Sequence, residues 1–566
     1  MRKAPSTGRT SGRHSTVPAP RAAAGRGARV AFVGAGPGDP GLLTLRAAEL
    51  LAQARIVLMD RPDGAEVVRR HCREDVEVVP LVPAGPVAPV GQAAQPPDVL
   101  PSPDAKGSLP LQRLLDAVHR LGGTGLVVRL MSGDPGVFTG LEAECRALAE
   151  ADVPYEVVPG VSSLLAVPLY AGIPLTSPDS PRLHVCDAAL QLDLEASAAD
   201  DVTVVMAATP GRLVEQLSNL LDAGRDPETP VALTDHGTTA HQHTSATTLG
   251  DAAHILDHAD EDQELLAVVG RTVELRAAIS WFETRPLIGW NVLVPRTKEQ
   301  ATGVVDRLAG YGATATVVPT IGIEPPRTPQ QMDKAITGLV TGRYEWIGFT
   351  SVNAVRAVRE KFTEYGLDTR SFAGLRIAAV GGTTAAALRD WGLVPDLVPS
   401  GERSAAGLLE EWPPYDALLD PINRVFLPRA DIATDTLVAG LQEMGWEVED
   451  VTAYRTVRAS PPPAEVREAI KTGQFDAVLF TSSSTVRNLV GIAGKPHRAT
   501  VVACIGPATA RTAEEHGLRV DVLAPEASAD ALVDALAEHG HALARASYDA
   551  GDPVVLPSQR RRRRRS

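Results

Sequence analysis

The chain has 566 residues, of which 44% are hydrophobic and 22% are charged. This length predicts more than one domain, and the composition is typical of a globular protein. The formal net charge of −14 excludes a general nucleic-acid binder, which needs a basic surface. No run of eighteen apolar residues and no signal-peptide core is present, so we expect a cytoplasmic protein without membrane contact. The four cysteines lack any CxxC or His pairing, which predicts neither a disulfide framework nor a metal site.

Both ends of the chain are basic and lack an apolar period. The first thirty residues hold seven Lys or Arg and no acidic residue, and the chain closes with six arginines, 560–565. Segments of this composition bury too little apolar surface to fold. We therefore predict disordered tails over 1–28 and 541–566, without a specific nucleic-acid partner.

Short β-branched runs alternate with Ala/Leu-rich stretches from residue 29 to about 540, which predicts α/β architecture. The first run leads into "VGAGPGDPGLL", Val33–Leu43. Its glycines stand at the first, third and fifth positions rather than the first, third and sixth of a dinucleotide-binding loop, and Pro37 lacks a backbone donor. No Gly-Lys-Ser/Thr follows, so the loop favours neither a nicotinamide nor an ATP site.

Further small-residue turns follow the next strands. They include "SGDPGVF" (132–138), "VPGVSS" (158–163), "MAATPG" (206–211) and "TDHGTT" (234–239). Such turns offer amides and an occasional acid without bulk, which suits an adenosine-like ligand that has no phosphate chain. S-adenosylmethionine is such a ligand, and acids attract its sulfonium cation. A Pro/Gly/Ala-rich stretch, 80–110, predicts a long flexible loop within this half.

Beyond a predicted boundary at 285–289 the sequence repeats itself. The landmark pairs Pro295/Pro428, Phe349/Phe480 and Gly381/Gly506 lie 133, 131 and 125 residues apart. We infer two similar α/β lobes made by duplication, with a ligand cleft between them. Each copy places Thr and Ser at predicted helix N-termini, where hydroxyls and amides bind anions; helix capping alone is the alternative interpretation.

Residues 29–284 resemble the uroporphyrinogen-III C-methyltransferases, a family of tetrapyrrole methyltransferases. The motifs are the glycine opening, "SGDPGVF", "VPGVSS…AGIPLTS" and "AVVGRTVELRAAISWF", in the family's order. The resemblance implies a two-lobe fold, a homodimer, bound S-adenosylmethionine, and Asp60 as the acid–base group. The residues implied to line the cofactor site are Gly36, Pro37, Ser132, Gly133, Asp134, Val137, Ser162, Ser163, Met206 and Gly237. The sequence departs from the family at Ser132, where glycine is usual, and between Arg73 and Lys106, where it lacks the family's proton-donating lysine.

Residues 289–540 resemble uroporphyrinogen-III synthase through "VLVPRT", "GFTSVNAV", "AAVGGTTAAAL", "FLPRA", "TAYRT", "LFTSSSTV" and "CIGPATARTA". The resemblance implies two interleaved lobes and closure of hydroxymethylbilane with inversion of ring D, without cofactor or metal. It also implies that Tyr454 assists loss of the substrate hydroxyl; a core tyrosine is the alternative. The candidates to hold the eight substrate carboxylates are Thr350, Ser351, Thr384, Thr481, Ser482, Ser483 and Thr509.

Together the two halves predict a bifunctional enzyme acting on small acidic tetrapyrroles. It would form uroporphyrinogen III and then methylate it toward precorrin-2. The alternatives are a synthase whose methyltransferase half is only a scaffold, a non-enzymatic tetrapyrrole-binding protein, and a nucleotide-dependent oxidoreductase.

Overall fold

Alternating apolar strands and amphipathic helices build four five-stranded sheets, two in each half of the chain. The computed structural model describes residues 28–60, 64–81, 109–122, 124–188, 192–402 and 404–560. It divides into an N-terminal unit ending at Gly289 and a C-terminal unit beginning at Trp290. The division falls at the end of the boundary segment that the sequence indicates, and the predicted α/β fold class is confirmed.

The first sheet of the N-terminal unit is wholly parallel, in the order β3-β2-β4-β1-β5. Its strands are β1 (Ala28–Gly34), β2 (Ile56–Met59), β3 (Glu77–Pro80), β4 (Gly125–Met131) and β5 (Tyr155–Val158). Helices α1 (Leu45–Gln53) and α2 (Gly64–His71) cover one face, and α3 (Leu109–Arg120) and α4 (Leu141–Glu150) cover the other. Because the strands are parallel, the loops after β1, β2, β4 and β5 meet at one edge, which we call the glycine edge.

The second sheet of this unit is mixed, in the order β6-β7-β10-β8-β9, and only β6 and β7 pair in parallel. Its strands are β6 (Arg182–Asp187), β7 (Val202–Ala208), β8 (Pro230–Asp235), β9 (His243–Thr248) and β10 (Leu265–Val269). The helices are α5 (Ser163–Tyr170), α6 (Leu194–Ser197), α7 (Pro210–Asp222), α8 (Ala252–Leu256) and α9 (Arg276–Ile279). Helix α5 begins beside the glycine edge and packs its body on this second sheet.

The C-terminal unit contains one lobe inserted into another. The outer lobe is a parallel sheet in the order β12-β11-β18-β19-β20, and the inner lobe has the order β13-β17-β16-β14-β15. The strands are β11 (Asn291–Val294), β12 (Thr314–Val317), β13 (Ile321–Glu324), β14 (Trp346–Phe349), β15 (Arg376–Ala379), β16 (Arg424–Ala430), β17 (Glu447–Arg458), β18 (Ala477–Phe480), β19 (Val501–Cys504) and β20 (Val522–Leu523). The chain thus leaves the outer sheet after β12 and returns to it at β18.

The helices of this unit follow the strands in both lobes. They are α10 (Lys298–Gly310), α11 (Pro329–Val340), α12 (Val352–Glu364), α13 (Gly382–Asp390), α14 (Ala405–Glu411), α15 (Thr436–Glu443), α16 (Ala464–Thr472), α17 (Ser483–Ala493), α18 (Pro507–Glu515) and α19 (Ala529–Asp549). The sequence repeat is also a repeat of sheet register. Val294 pairs with Val317 in the outer lobe, and Leu427 pairs with Asp450, the same positions 133 residues later, in the inner lobe.

The predicted tails have different outcomes. Residues 1–27, 82–108 and 561–566 lie outside the described part of the chain, so most of the N-terminal tail and of the 80–110 loop does too. A disordered tail beginning at 541 is wrong, because α19 continues to Asp549 and the Ser558 amide donates to Asp476 at 2.9 Å. The prediction rested on the arginines at 560–565 and did not take account of the helical pattern of the residues before them. Among the described residues, no helix is long and apolar enough to cross a membrane.

Candidate functional site

Two glycine turns pair with each other at the glycine edge. The Gly36 amide donates to the Gly133 carbonyl at 3.2 Å, and the Gly133 amide donates to the Gly36 carbonyl at 3.0 Å. Both residues have positive φ, +78° and +63°, a backbone region that is open to glycine without strain. The turns after β1 and β4 are therefore fixed to each other by main-chain contacts.

The turn after β5 packs directly against this pair. A Cβ atom on Gly160 would lie 2.2 Å from the Gly133 carbonyl oxygen, and one on Gly34 would lie 2.5 Å from the Gly160 Cα. No side chain fits at those distances. The glycines of the opening motif thus allow three strand-end turns to approach one another, which differs from the wrapping of a pyrophosphate.

Asp134 joins the same turns through its carboxylate. Its Oδ1 accepts from the Gly136 amide at 2.7 Å, and its Oδ2 accepts from the Gly160 amide at 2.9 Å. Each oxygen of the predicted cofactor-binding acid therefore already holds one backbone donor. The arrangement fixes the shape of the edge.

Asp39, which the sequence analysis did not select, connects the glycine loop to the second sheet. Its amide donates to Thr238 Oγ1 at 3.0 Å, and its Oδ2 accepts from the Tyr170 hydroxyl at 2.9 Å. Burial, together with this carboxylate, raises the pKa of Tyr170 far above its ordinary value, so the phenol remains a donor. Through these contacts the loop after β1 lies beside predicted Gly237, whose added Cβ would collide with Val167 at 2.3 Å.

A small cavity opens at the glycine edge between the β1, β2 and β4 loops. Its lining includes Ala35, Gly36, Gly38, Met59, Gly64 and Ser132. Two predicted cofactor residues, Gly36 and Ser132, therefore face the same space as the segment that ends at Asp60. The lining combines main-chain groups, one hydroxyl and apolar side chains.

Most of the other predicted cofactor residues lie on segments that meet here. Pro37 follows Gly36, Val137 packs against the cluster around α5, and Ser162 is the N-cap of α5, with Ser163 its first residue. Met206 is different: its side chain is fully buried with Leu213 and Leu217 of α7. The alternation of β7 points Val205 toward α5 and Met206 away from it. The Met206 side chain therefore does not face α5, and a place for this residue in the cofactor site stays a prediction.

Asp60, the predicted acid–base group, contacts a buried arginine. Arg129 is 2% exposed, and its Nη2 lies 2.8 Å from Asp60 Oδ1 while its Nε lies 3.0 Å from Glu144 Oε2. Burial lowers the pKa of Arg129, but the two carboxylates outweigh it and raise the pKa, so the guanidinium stays charged. Sequence reasoning missed Arg129, although a lone arginine inside the apolar run "LVVRLM" was a signal for it.

In the C-terminal unit the structure brings together two predicted residues from distant positions in the chain. The hydroxyls of Ser351 and Tyr454 are 2.9 Å apart, and Tyr454 is 7% exposed. Ser351 Oγ also accepts from the Ala354 amide at 3.1 Å, so it caps α12 while it contacts the phenol. Both residues stand at the carboxyl edge of the inner lobe, after β14 and late in β17.

The predicted carboxylate-binding residues fall into two groups. Partly exposed positions in strand-end turns are occupied by Thr350, Ser351, Thr481, Ser482 and Ser483. Ser482 and Ser483 also have local roles: Ser482 caps α17 in a capping box, and Ser483 donates to the Ala508 carbonyl at 3.1 Å. Thr384 and Thr509 occupy equivalent buried positions within α13 and α18. Those two hydroxyls are therefore the least accessible of the set.

Each unit is an α/β fold that carries its candidate site at the carboxyl ends of strands. The model for tetrapyrrole (corrin/porphyrin) methylases matches residues 29–253, and the model for uroporphyrinogen-III synthase HemD matches residues 303–534. The chain belongs to the family of porphyrin biosynthesis proteins that join these two domains. The porphyrin biosynthesis protein HemD of Ruminiclostridium josui is 30% identical over 522 residues, which cover 90% of this chain and 98% of that protein.

Other relatives match the N-terminal part. The uroporphyrinogen-III C-methyltransferase of Bacillus subtilis is 30% identical over 62% of this chain and 69% of that protein. The siroheme synthase of Azotobacter vinelandii is 34% identical over 45% of this chain, and the match spans about half (52%) of that protein. A solved uroporphyrin-III C-methyltransferase from Thermus thermophilus, 30% identical, covers 44% of this chain and 94% of its own, with a TM-score of 0.35.

Proposed function

We propose that the chain catalyses two reactions on acidic tetrapyrroles. The C-terminal unit closes hydroxymethylbilane to uroporphyrinogen III, and the N-terminal unit methylates that product toward precorrin-2 with S-adenosylmethionine. One observation carries the proposal: in each unit the predicted catalytic side chain stands at the carboxyl edge of a sheet and is held by a fixed partner. Asp60 is held by Arg129, and Tyr454 is held by Ser351.

The glycine edge fits a methyl donor of this kind. Its turns present main-chain groups, the Ser132 hydroxyl and an apolar wall, with no lysine among the described residues that line the cavity to receive a phosphate. Gly36, Ser132 and Gly237 would hold the donor. Bound S-adenosylmethionine supplies an electrophilic methyl group.

Asp60 has the chemistry needed on the substrate side. The ring carbon that gains the methyl group already bears a side chain and has no hydrogen to lose. The resulting cation is neutralised by loss of a proton from the pyrrole nitrogen or from a bridging carbon, and a carboxylate beside that atom accepts it. Arg129 fixes the orientation of the Asp60 carboxylate, since Oδ1 is engaged at 2.8 Å. A fixed base contributes through alignment, which matters most for two reactants in a closed cleft.

Tyr454 has the chemistry needed for ring closure. Loss of the substrate hydroxyl as water requires a proton or hydrogen bond at the leaving oxygen, and a phenol can supply it. Ser351 accepts from the Ala354 amide and fixes the phenol from one side. Thr350, Thr481, Ser482 and Ser483 would hold substrate carboxylates with hydroxyls and helix N-terminal amides.

The test supplies purified full-length protein with hydroxymethylbilane, with and without S-adenosylmethionine. We expect uroporphyrinogen III without the donor and methylated product with it. Calorimetry should show donor binding by wild type and weaker binding by Asp134→Ala, because the substitution releases the Gly136 and Gly160 amides. Accumulation of uroporphyrinogen III without methyl transfer contradicts the bifunctional proposal.

A synthase with an inactive methyltransferase unit is the second candidate. It is favoured by the sequence between Arg73 and Lys106, which contains no lysine or arginine. The same assay separates the two, because this candidate predicts closure with no methyl transfer at any donor concentration. Tetrapyrrole binding without any turnover would instead support a non-enzymatic protein.

We also propose that the N-terminal unit pairs with a second copy. Helix α5 is apolar on both faces, and Leu169 remains 54% exposed beside Trp281, which is 46% exposed and donates to the Leu169 carbonyl at 3.0 Å. Sedimentation should show a dimer for wild type and a monomer for Leu169→Glu. A wild-type monomer at micromolar concentration contradicts this assembly.

A further inference from the structure

The duplication places one arginine at the same position in each lobe of the C-terminal unit. Arg296 and Arg429 follow Pro295 and Pro428, at the carboxyl ends of β11 and β16. The sheet registers agree, since Val294 pairs with Val317 as Leu427 pairs with Asp450. The two guanidinium groups can therefore be compared position by position.

Arg429 is neutralised within its own lobe. Its Nε lies 2.7 Å from Asp450 Oδ1, its Nη2 contacts Asp450 Oδ2, and its Nη1 donates to the Thr434 carbonyl at 2.5 Å. The side chain is buried. This arginine is a structural ion pair that fastens β16 to β17.

Arg296 has no such partner, because Val317 occupies the position that Asp450 holds in the other copy. Among the side chains that the structure describes, no carboxylate lies within 4.0 Å of Arg296, and its guanidinium donates no hydrogen bond. Partial burial lowers its pKa, and no acid opposes the shift. Burying an unpaired cation costs free energy. The presence of Arg296 therefore indicates that it pairs with an anion that the described fold does not provide.

The surroundings of Arg296 suit a carboxylate. β11 pairs with β18 as Val292 with Ala477 and Leu293 with Val478, and continuing that register puts Arg296 level with Thr481. Thr481 precedes the N-terminus of α17, an eleven-residue helix capped by Ser482. Charge, hydroxyls and helix amides thus meet at one edge, the combination that binds carboxylates.

We propose that Arg296 binds a carboxylate of the tetrapyrrole substrate, and that the duplicated lobes have divided their roles. The outer lobe anchors the substrate through Arg296, and the inner lobe, whose arginine is neutralised, carries the Tyr454 hydroxyl. This inference rests on the proposed synthase function and adds a residue that determines affinity for acidic substrates.

Four variants of the full-length chain test the assignment. Arg296→Gln removes the cation, and Val317→Asp supplies the carboxylate that the other copy has. Arg296→Lys keeps the charge. Arg498→Gln is the matched control, because Arg498 is exposed and lies in the loop that enters the amino end of β19, at the opposite edge of the same sheet.

Two measurements are made on each variant: kcat and KM for hydroxymethylbilane, and the Kd of uroporphyrin III, a stable fluorescent octacarboxylate that needs no turnover. We expect Arg296→Gln and Val317→Asp to raise KM and Kd roughly tenfold or more, with kcat within about twofold of wild type. The loss should shrink as salt is raised. Arg296→Lys should recover part of the affinity, and Arg498→Gln should match wild type.

The assignment is overturned if Arg296→Gln keeps wild-type KM and Kd, or if it lowers kcat while KM is unchanged. It is also overturned if Val317→Asp binds like wild type while Arg296→Gln does not, since the loss would then come from packing. If wild type binds uroporphyrin III through Arg296 but does not close hydroxymethylbilane, the proposed synthase function fails and the carboxylate site stands.

Discussion

The hydroxyls of Ser351 and Tyr454 meet at 2.9 Å although the residues stand 103 positions apart in the chain. Ser351 is fixed as the cap of α12, and Tyr454 is fixed in β17, which lies between β13 and β16 in the inner sheet. The phenol is therefore oriented before any substrate arrives. Preorganisation of this kind lowers the cost of aligning a donor with a leaving oxygen.

Tyr454→Phe should lower the synthase kcat roughly 100-fold, as expected for loss of a positioned proton donor. KM should change little, because the ring and its packing remain. The measurement is the initial rate of uroporphyrinogen III formation. Tyr548→Phe is the control, because Tyr548 is 77% exposed on α19. Equal rates for Tyr454→Phe and the control would show that Tyr454 is only a core residue.

Asp60→Asn should lower the rate of methyl transfer by roughly two to three orders of magnitude, whereas binding of S-adenosylmethionine should persist. The fold should survive, because Arg129 keeps its bonds to Glu144.

Arg129→Met should instead destabilise the N-terminal unit by about 3–5 kcal/mol, since it leaves two carboxylates without their buried cation. Thermal unfolding and methyl transfer are measured together, with Asp222→Asn on the exposed surface of α7 as control. A stable, active Arg129→Met protein would contradict this role.

Gly160→Ala tests the close contact of the glycine turns. The added methyl would meet the Gly133 carbonyl oxygen at 2.2 Å, so the turns must separate. We expect a loss of about 1–3 kcal/mol or more in unfolding free energy and loss of S-adenosylmethionine binding in calorimetry. The matched control is Gly211→Ala in α7, where a Cβ meets nothing within 4 Å and helix propensity improves. Donor binding by Gly160→Ala at wild-type strength would rule out this requirement.

His539 should make the C-terminal unit less stable as the pH falls. Burial lowers its pKa from the ordinary value of 6.5, and Arg519 and Arg560 add to the effect against Asp521. A histidine whose pKa is depressed in the folded state contributes stability above its unfolded pKa and loses it as the pH falls. The melting temperature of this unit should therefore fall between about pH 7 and about pH 5.

Calorimetry of the full chain at stepped pH checks this expectation. His539→Gln should flatten the decrease, whereas His541→Gln, which changes an exposed position on the same helix, should leave it unchanged. The same slope in wild type and His539→Gln would assign the pH dependence to other groups.

The sequence predicted features that depend on local pattern. Repeated landmarks such as Pro295 and Pro428 indicated the duplicated lobes, and small-residue turns indicated which strand ends carry the sites. Both follow from periodicity and turn chemistry, which short stretches of chain contain.

The features it missed depend on contacts between distant segments. Asp134 holds a turn that lies 26 residues away, and Asp39 binds Thr238, 199 residues away. Neither partner can be identified from spacing. The orientation of the Met206 side chain could not be predicted for another reason: a shift of one residue in a strand exchanges its two faces, and the sequence pattern did not fix which face of β7 meets α5.

The insertion of one lobe into the other sets an order for synthesis. The inner sheet, β13 to β17, is complete once Arg458 has left the ribosome, whereas β11 and β12 wait for β18 to cover the open edge of β11. Nascent chains fold in units as these emerge, and an unpaired strand edge invites wrong partners. The inner lobe can therefore form first during translation, and a transcript cut before Ala477 would release a chain with a finished lobe and an exposed, aggregation-prone strand.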